Sequence, residues 1–160
     1  IAIVTRRIPR FATTIGIGGH ALTLAVQKHF GVTEAEARKI KAERGIVPAP
    51  GNEDYLAAML STVSAIRDEI STRLDYWQEK AKTSTTQTPV THAILVGGNA
   101  SVRGFPEYLE GALKVPVVAG DVFTNLASLD TWIPTLDYTE SLAYATAIGL
   151  ALRDDIQSYA

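Results

Sequence analysis

Ala93-Ile94-Leu95-Val96-Gly97-Gly98-Asn99-Ala100-Ser101-Val102-Arg103-Gly104-Phe105-Pro106 is the stretch on which the fold turns. Its first four residues are apolar, rich in branched side chains and too few for a helix, and they read as a buried strand that stops at a glycine pair. A helix is expected from about Phe105 to Leu113. Pro106 suits the first turn, where its missing N–H would have had no partner, and Glu107 complements the positive end of the dipole. Strand, glycine turn and helix expose backbone N–H groups at the carboxyl end of a strand, where nucleotides commonly bind in α/β sheets. A glycine pair after a strand is most often only a tight connection. The turn therefore becomes a candidate site only through the rest of the chain.

Upstream, the same order occurs once more. Ile1 to Val4 and Phe11 to Ile17 read as two strands of a hairpin joined by a short basic turn with Pro9, and Arg6, Arg7 and Arg10 read as a solvated tip. The second strand ends in Gly16-Ile17-Gly18-Gly19, and a helix from His20 to Phe30 follows, closed by Gly31. Two such turns in one small domain are more specific than one.

Between the two turns lie two further helices. Thr33-x-x-Glu36 is a capping box that opens a mostly polar helix running to Arg44 and ending at Gly45. Glu36 and Lys39, three apart, share one face. A cap and a solvated charge are the plain readings of this pair. Residues 28–52 read as a small inserted subdomain. From Glu53 or Asp54 to Lys82 a long helix is expected, with Leu56, Met59, Leu60, Val63, Ile66, Ile70, Leu74 and Trp77 as a core stripe against the sheet. At the standard rise it is about 40 Å long. After the central stretch come a short strand, Val115 to Val118, and a long loop, Gly120 to Asp137, pinned by Phe123, Leu126, Trp132 and Ile133. A last helix, Glu140 to Arg153, is capped by Thr139 and rich in small residues that allow close packing.

Composition bounds the function classes. A chain of 160 residues with 46% hydrophobic content can bury one core. A formal charge of −2 supplies no field for nucleic acid or anionic lipid. The absence of cysteine excludes disulfide and thiol chemistry, and no apolar run reaches the roughly 18 residues of a membrane span. The chain starts in mid-pattern without methionine, as a piece of something longer would. His20, His29 and His92 are scattered, with no partners fixed by spacing, so neither a hydrolytic triad nor a histidine metal pair can be assigned. No Walker-type loop follows either glycine pair. Any nucleotide site must be built from backbone turns.

Five segments, taken in order, carry a resemblance: Ile15-Gly16-Ile17-Gly18-Gly19-His20-Ala21-Leu22-Thr23, Ala35-Glu36-x-x-Lys39, Glu69 to Tyr76, Ile94 to Ala100, and Ala147 to Arg153. Together they resemble the second half of the actin-like ATPases, closest to the PilM family of type IV pilus assembly proteins, relatives of the division protein FtsA. The resemblance implies an α/β fold, a ribonuclease-H-like lobe with a mixed sheet flanked by helices (the 2A part) and a small 2B insertion. It implies ATP or ADP with Mg as cofactor, the metal held through the phosphates and the other lobe. Residue by residue, Gly18 and Gly19 match the glycine turn beside the nucleotide, Glu36 the acidic residue on the ribose, Lys39 the basic residue flanking the adenine, and Gly97, Gly98 and Asn99 the adenosine motif.

Departures set limits on what carries over. The family's first phosphate motif, its first connecting helix and its magnesium and water-positioning residues belong to the other lobe or to an acidic strand before Ile1. No catalytic or metal residue is therefore assigned, and hydrolysis by this chain alone is not expected; whether the intact parent hydrolyses ATP stays open. Thr13-Thr14 stands where relatives often carry an arginine, and Ser71-Thr72-Arg73 replaces Arg-Ser-Leu. The function implied is the nucleotide-binding lobe of a cytoplasmic pilus-assembly protein, peripheral at the inner membrane through a PilN-like platform partner met mainly by the absent lobe. Self-association is left open, and neither nucleic-acid binding nor direct membrane insertion is expected. The alternatives are a non-hydrolysing interaction module of the pilus or secretion platform and an FtsA-like division adaptor; a sugar-kinase or acetate-kinase relative fits the long helix and the C-terminal run less well.

Overall fold

The computed structural model describes residues 1–124, 126 and 133–152. Trp132 and Arg153, expected to pin the long loop and to end the last helix, lie outside them. The chain opens with a hairpin of β1 (Ala2–Thr5) and β2 (Ile8–Ala12), antiparallel, with Thr5 opposite Ile8. The turn is only Arg6-Arg7, both at positive φ (51° and 64°), as a two-residue hairpin turn requires. The second strand thus ends at Ala12 rather than Ile17. Pro9 is tolerated because β2 pairs on one side only, and the register shifts beside it, between Ile3 and Val4. Phe11 ties the hairpin to the body of the fold, its ring centroid 6.3 Å from Trp77 and 6.5 Å from Tyr76.

Two helices follow. In α1 (Gly19–Phe30), Leu22, Thr23 and Val26 form the buried face, and Gly31 ends the helix in the left-handed region, its N–H donating to the Gln27 carbonyl. In α2 (Glu34–Arg44) the capping box forms as expected: the Thr33 N–H donates to Glu36 Oε2 (2.9 Å) and the Glu36 N–H donates to Thr33 Oγ1 (3.3 Å). The Arg44 guanidinium lies 5.5 Å from the Phe30 ring centroid and 5.8 Å from that of Tyr55, tying the end of α2 to its neighbours. The Tyr55 hydroxyl is buried there without a partner among the described residues, and burial pushes its pKa up to about 12.

The long helix is α3 (Glu53–Thr83), 31 residues. Its face of Tyr55, Met59, Val63 and Ile66 is buried, but mainly against α1 and α4 (Phe105–Leu113) rather than against a sheet. Leu60, placed in the stripe by its spacing, is 59% exposed: at adjacent positions Met59 already fills the inward angle. Trp77 Nε1 donates to the Thr88 carbonyl, and Gln78 exchanges two hydrogen bonds with the backbone of Val90. These bonds fold the connector back along the helix and deliver the chain to β3 (Ala93–Leu95).

The β3 strand pairs in parallel with β4 (Val117–Ala119), and α4 forms the crossover between them. Pro116 keeps residues 115 and 116 out of the strand, which starts two residues later than its apolar run. Among the described residues there is no single mixed sheet. Two separate two-stranded sheets stand instead, because β1 and β3 are each paired only with the strand that follows.

The last helix divides into α5 (Tyr138–Ser141), a 3₁₀ turn (Leu142–Tyr144) and α6 (Ala145–Ala151). Its cap is Asp137, whose Oδ1 accepts from the Glu140 N–H (2.8 Å); Thr139 only donates its hydroxyl to the same oxygen. These contacts hold the Asp137 carboxyl below its usual range. The close packing expected of the small residues is not found in α6, which buries none of them. Ile133, expected to pin the long loop, is 83% exposed.

Candidate functional site

The two glycine turns meet. Gly18 is the N-cap of α1 and offers no side-chain cap; its carbonyl accepts from the Ala21 N–H (3.0 Å), and the Gly19 and His20 N–H groups make no backbone hydrogen bond among the described residues. Gly19 faces Asn99 so closely that a Cβ at Gly19 would lie 2.5 Å from Asn99 Nδ2 and 2.9 Å from its Oδ1. Only a residue without a side chain permits this approach. On the other turn, Gly97 takes φ 96° and its N–H donates to the Leu142 carbonyl (2.8 Å); Gly98 stands 4.0 Å, measured from its would-be Cβ, from the Ala143 methyl. The 3₁₀ turn thus backs the second glycine turn. From Asn99 onward, the Ala100 N–H donates to Gly97, Val102 to Asn99 and Phe105 to Val102, a run of tight turns that hands the chain to α4.

One charged side chain bridges the two turns, and it comes from α2. Lys41 Nζ donates to Asn99 Oδ1 (3.1 Å) and to Thr23 Oγ1 (3.3 Å), and Thr23 in turn donates to the Gly19 carbonyl (3.1 Å). Lys41 is half-buried and makes no ion pair among the described residues. Burial pushes its pKa down, and the neighbouring Arg38 charge pushes the same way. Both of its hydrogen-bond acceptors are neutral. An ammonium held by two neutral acceptors has no carboxylate partner among the described residues, and such a charge near the first turn of a helix can attract an anion.

Glu36 and Lys39 are not brought to this place. On a helix, Lys39 lies about 200° from Lys41 and Glu36 about 140°, whereas Ala37, which is buried, lies within about 40°. Glu36 spends its carboxylate on the cap, and the Thr33 backbone and hydroxyl bonds hold its pKa below the usual range. Lys39 is exposed, 3.9 Å from Glu43. Nearer the turns lie Glu34 and Arg38, paired at 2.6 Å; the Arg38 hydrogen bond and charge lower the Glu34 pKa, with His20 on α1 a lesser contributor.

Spacing alone missed Lys41 and Thr23. The available signal was Ala37 with Ile40, which mark the inward face of a helix otherwise polar; Lys41 stands next to Ile40 and one turn beyond Ala37.

Two concavities lie elsewhere, about 370 Å³ beside Pro48, Pro50 and Leu56 and about 220 Å³ beside Gln78, Lys82 and Pro89. Neither contains a residue of the glycine turns or a convergent set of polar groups. The bridged turns remain the better candidate. Among the described residues no three His, Asp or Glu side chains gather as metal ligands.

No curated protein matches the chain. A solved structure titled "PilM-PilN type IV pilus biogenesis complex" superposes with a TM-score of 0.71 at 19% identity, over 91% of this chain and 39% of that one. The two share an α/β fold, and the chain spans about two-fifths of the length of that relative. The family described as type IV pilus assembly protein PilM matches residues 2–155. By that match over nearly its whole length, the chain belongs to the PilM family of type IV pilus assembly proteins.

Proposed function

We propose that this chain is the nucleotide-binding part of a PilM-family protein, built as one lobe of the actin-like fold, and that it binds ATP or ADP at the meeting of its two glycine turns. The observation that carries the reading is Lys41: a half-buried ammonium with no carboxylate partner among the described residues, held by Thr23 and Asn99 across both turns. In this reading the Gly18-Gly19 end of α1 offers backbone N–H groups to phosphate, Lys41 supplies the counter-charge, and Gly97, Gly98 and Asn99 give the purine or ribose a side-chain-free approach with one amide to read it. Glu36 and Lys39 lie outside the site. The phosphates carry any Mg, in keeping with a site that joins a second lobe, and hydrolysis is assigned to the intact protein rather than to these residues.

Membership of the PilM family supports a role in type IV pilus assembly. We take its setting to be the cytoplasmic face of the inner membrane, reached through a partner, as the likeness to the PilM family implies; no helix among the described residues is long and apolar enough to cross a bilayer. A PilN-like partner is proposed because the solved relative is a complex of that kind.

Ligand-linked stability tests the reading. Nucleotide at 100 times its dissociation constant stabilises a fold by about 2.7 kcal/mol. A melting temperature raised by millimolar ATP or ADP with Mg, and not by adenosine-free phosphate at the same ionic strength, is the expected result; an unmoved one removes nucleotide binding by this chain. One observation favours a second reading, an interaction module without nucleotide: the Asn99 amide fills the space in front of Gly19. That reading predicts no nucleotide response and an unaltered partner complex in Lys41→Met.

A further inference from the structure

The turn that carries Asn99 and the helix that carries Lys41 are clasped at a second place, one turn further along each. The Arg103 carbonyl accepts from the Ile46 N–H (2.6 Å), while Arg103 Nη2 donates to the carbonyls of Glu43 (3.3 Å) and Arg44 (3.4 Å), the last ones of α2. Those carbonyls have no partner within the helix, and a cation there also meets the negative end of its dipole. The two backbones are pressed together at glycines. A Cβ at Gly45 (φ 67°) would lie 2.5 Å from the Arg103 carbonyl, and one at Gly104 (φ 84°) would lie 2.5 Å from that of Ile46. Neither position accepts a side chain without moving backbone.

We propose that Arg103 is a positioning residue for the candidate site, holding the C-terminal end of α2 on the second glycine turn so that Lys41 is kept on Asn99. Lys41 is only two residues from Glu43, and Asn99 only four from Arg103, so the clasp and the Lys41–Asn99 contact close one short ring of chain. With the guanidinium removed, the end of α2 keeps the Ile46 bond and the Arg44 contacts with Phe30 and Tyr55 but loses the tie from its last carbonyls to the second glycine turn, so Lys41 is held less closely on Asn99. The inference rests on the nucleotide reading for its effect on ligand, and on geometry alone for its effect on Lys41.

Two measurements on the 160-residue chain test it separately. Without ligand, the Lys41 ammonium is titrated by NMR in wild type, Arg103→Ala and Arg103→Lys. Wild type should titrate below the ordinary 10.5. Arg103→Ala should return towards that value as Lys41 swings into water, and Arg103→Lys should keep the wild-type value. A Lys41 titration unmoved in Arg103→Ala overturns the proposal, because a helix cap with no bearing on the site would leave it unmoved. With ligand, ADP affinity is measured for Arg103→Ala alone and combined with Lys41→Met. A loss of about fivefold is expected in the wild-type background, the size of one modest hydrogen-bonded contact, and no further loss in the Lys41→Met background. Equal losses in both overturn it. Should wild type bind no ADP, the nucleotide reading falls, and the titration still decides the role of Arg103.

Discussion

Gly19 and Asn99, eighty residues apart in sequence, stand closer than a methyl group on Gly19 would allow: its carbon would lie 2.5 Å from the Asn99 side-chain nitrogen. The intruded group is the end of a side chain rather than backbone, so it can yield. In Gly19→Ala, Asn99 must turn away, and doing so takes it off Lys41. The backbone of the helix gains from alanine, by up to about 1 kcal/mol relative to glycine in a helix interior and less in the first turn. These effects oppose each other in stability but not at the site. Gly19→Ala should therefore melt within a few degrees of wild type while its affinity for ADP falls. Calorimetry paired with ligand titration checks this, and an unchanged affinity would separate Asn99 from ligand binding.

Lys41 couples the site to pH. Its pKa is depressed in the fold by burial and by Arg38, so between that lowered value and 10.5 the unfolded chain binds more protons than the folded one. Stability contributed by Lys41 therefore rises with pH through that window, and the penalty of the buried charge is present in full below it. Lys41→Met removes the penalty along with two hydrogen bonds to neutral partners. Relative to Lys41→Met, wild type should gain stability as pH is raised from 7 towards 10.5, a comparison that cancels the titration of the other lysines and the tyrosines. Urea midpoints of the two proteins across that range measure it. A constant difference would mean that Lys41 is solvated.

The hairpin turn offers an independent test of local strain. Arg6 and Arg7 both sit at positive φ, where a side chain costs about 1–2 kcal/mol per residue and where asparagine and glycine are at ease. Arg6→Asn combined with Arg7→Gly should raise the stability by about 1 kcal/mol or more, since neither guanidinium makes an ion pair among the described residues. The increased flexibility of glycine in the unfolded chain offsets part of the gain. Thermal unfolding reads the result. A loss of stability would show that the arginines make contacts that outweigh their strain.

What could be read in the sequence was set by local chemistry. The capping box of α2, the left-handed Gly31, the span of α3 and the Phe105 start of α4 follow from residues within one turn of each other, and each is where its residues put it. Where the outcome depends on a distant partner, the sequence was a weaker guide. Leu60 has the period of the core but not the angle, because the neighbouring helices accept Met59 instead. The Glu36–Lys39 spacing is compatible with a binding pair, yet the face of α2 that meets the turns is fixed by Ala37 against the core, which turns Lys41 inward. The meeting of Gly19 with Asn99 could be supposed from the two similar turns; nothing in either turn encodes the approach. The splitting of the strands into two pairs is likewise a matter of long-range pairing, invisible to the alternation of side chains.

Glu36 provides the sharpest separation of a cap from a ligand group. Its carboxylate accepts from the Thr33 N–H at 2.9 Å and from the Thr33 hydroxyl at 2.7 Å, and those bonds depress its pKa below 4.5. The unfolded chain, with no such bonds, takes up its proton at a higher pH. The cap therefore stabilises fully above the ordinary value and is lost as pH falls through the depressed one. Glu36→Gln should lower the stability at pH 7, and its difference from wild type should vanish on acidification through that window. Thr33→Ala, which removes the other half of the box, should cost about 1 kcal/mol at neutral pH. Neither should change the affinity for ADP, because both act at the far end and outer face of α2 from the Lys41 contact. A fall in nucleotide affinity in Glu36→Gln, with stability unaltered, would instead place this carboxylate at the ligand and require α2 to rotate from the orientation that buries Ala37.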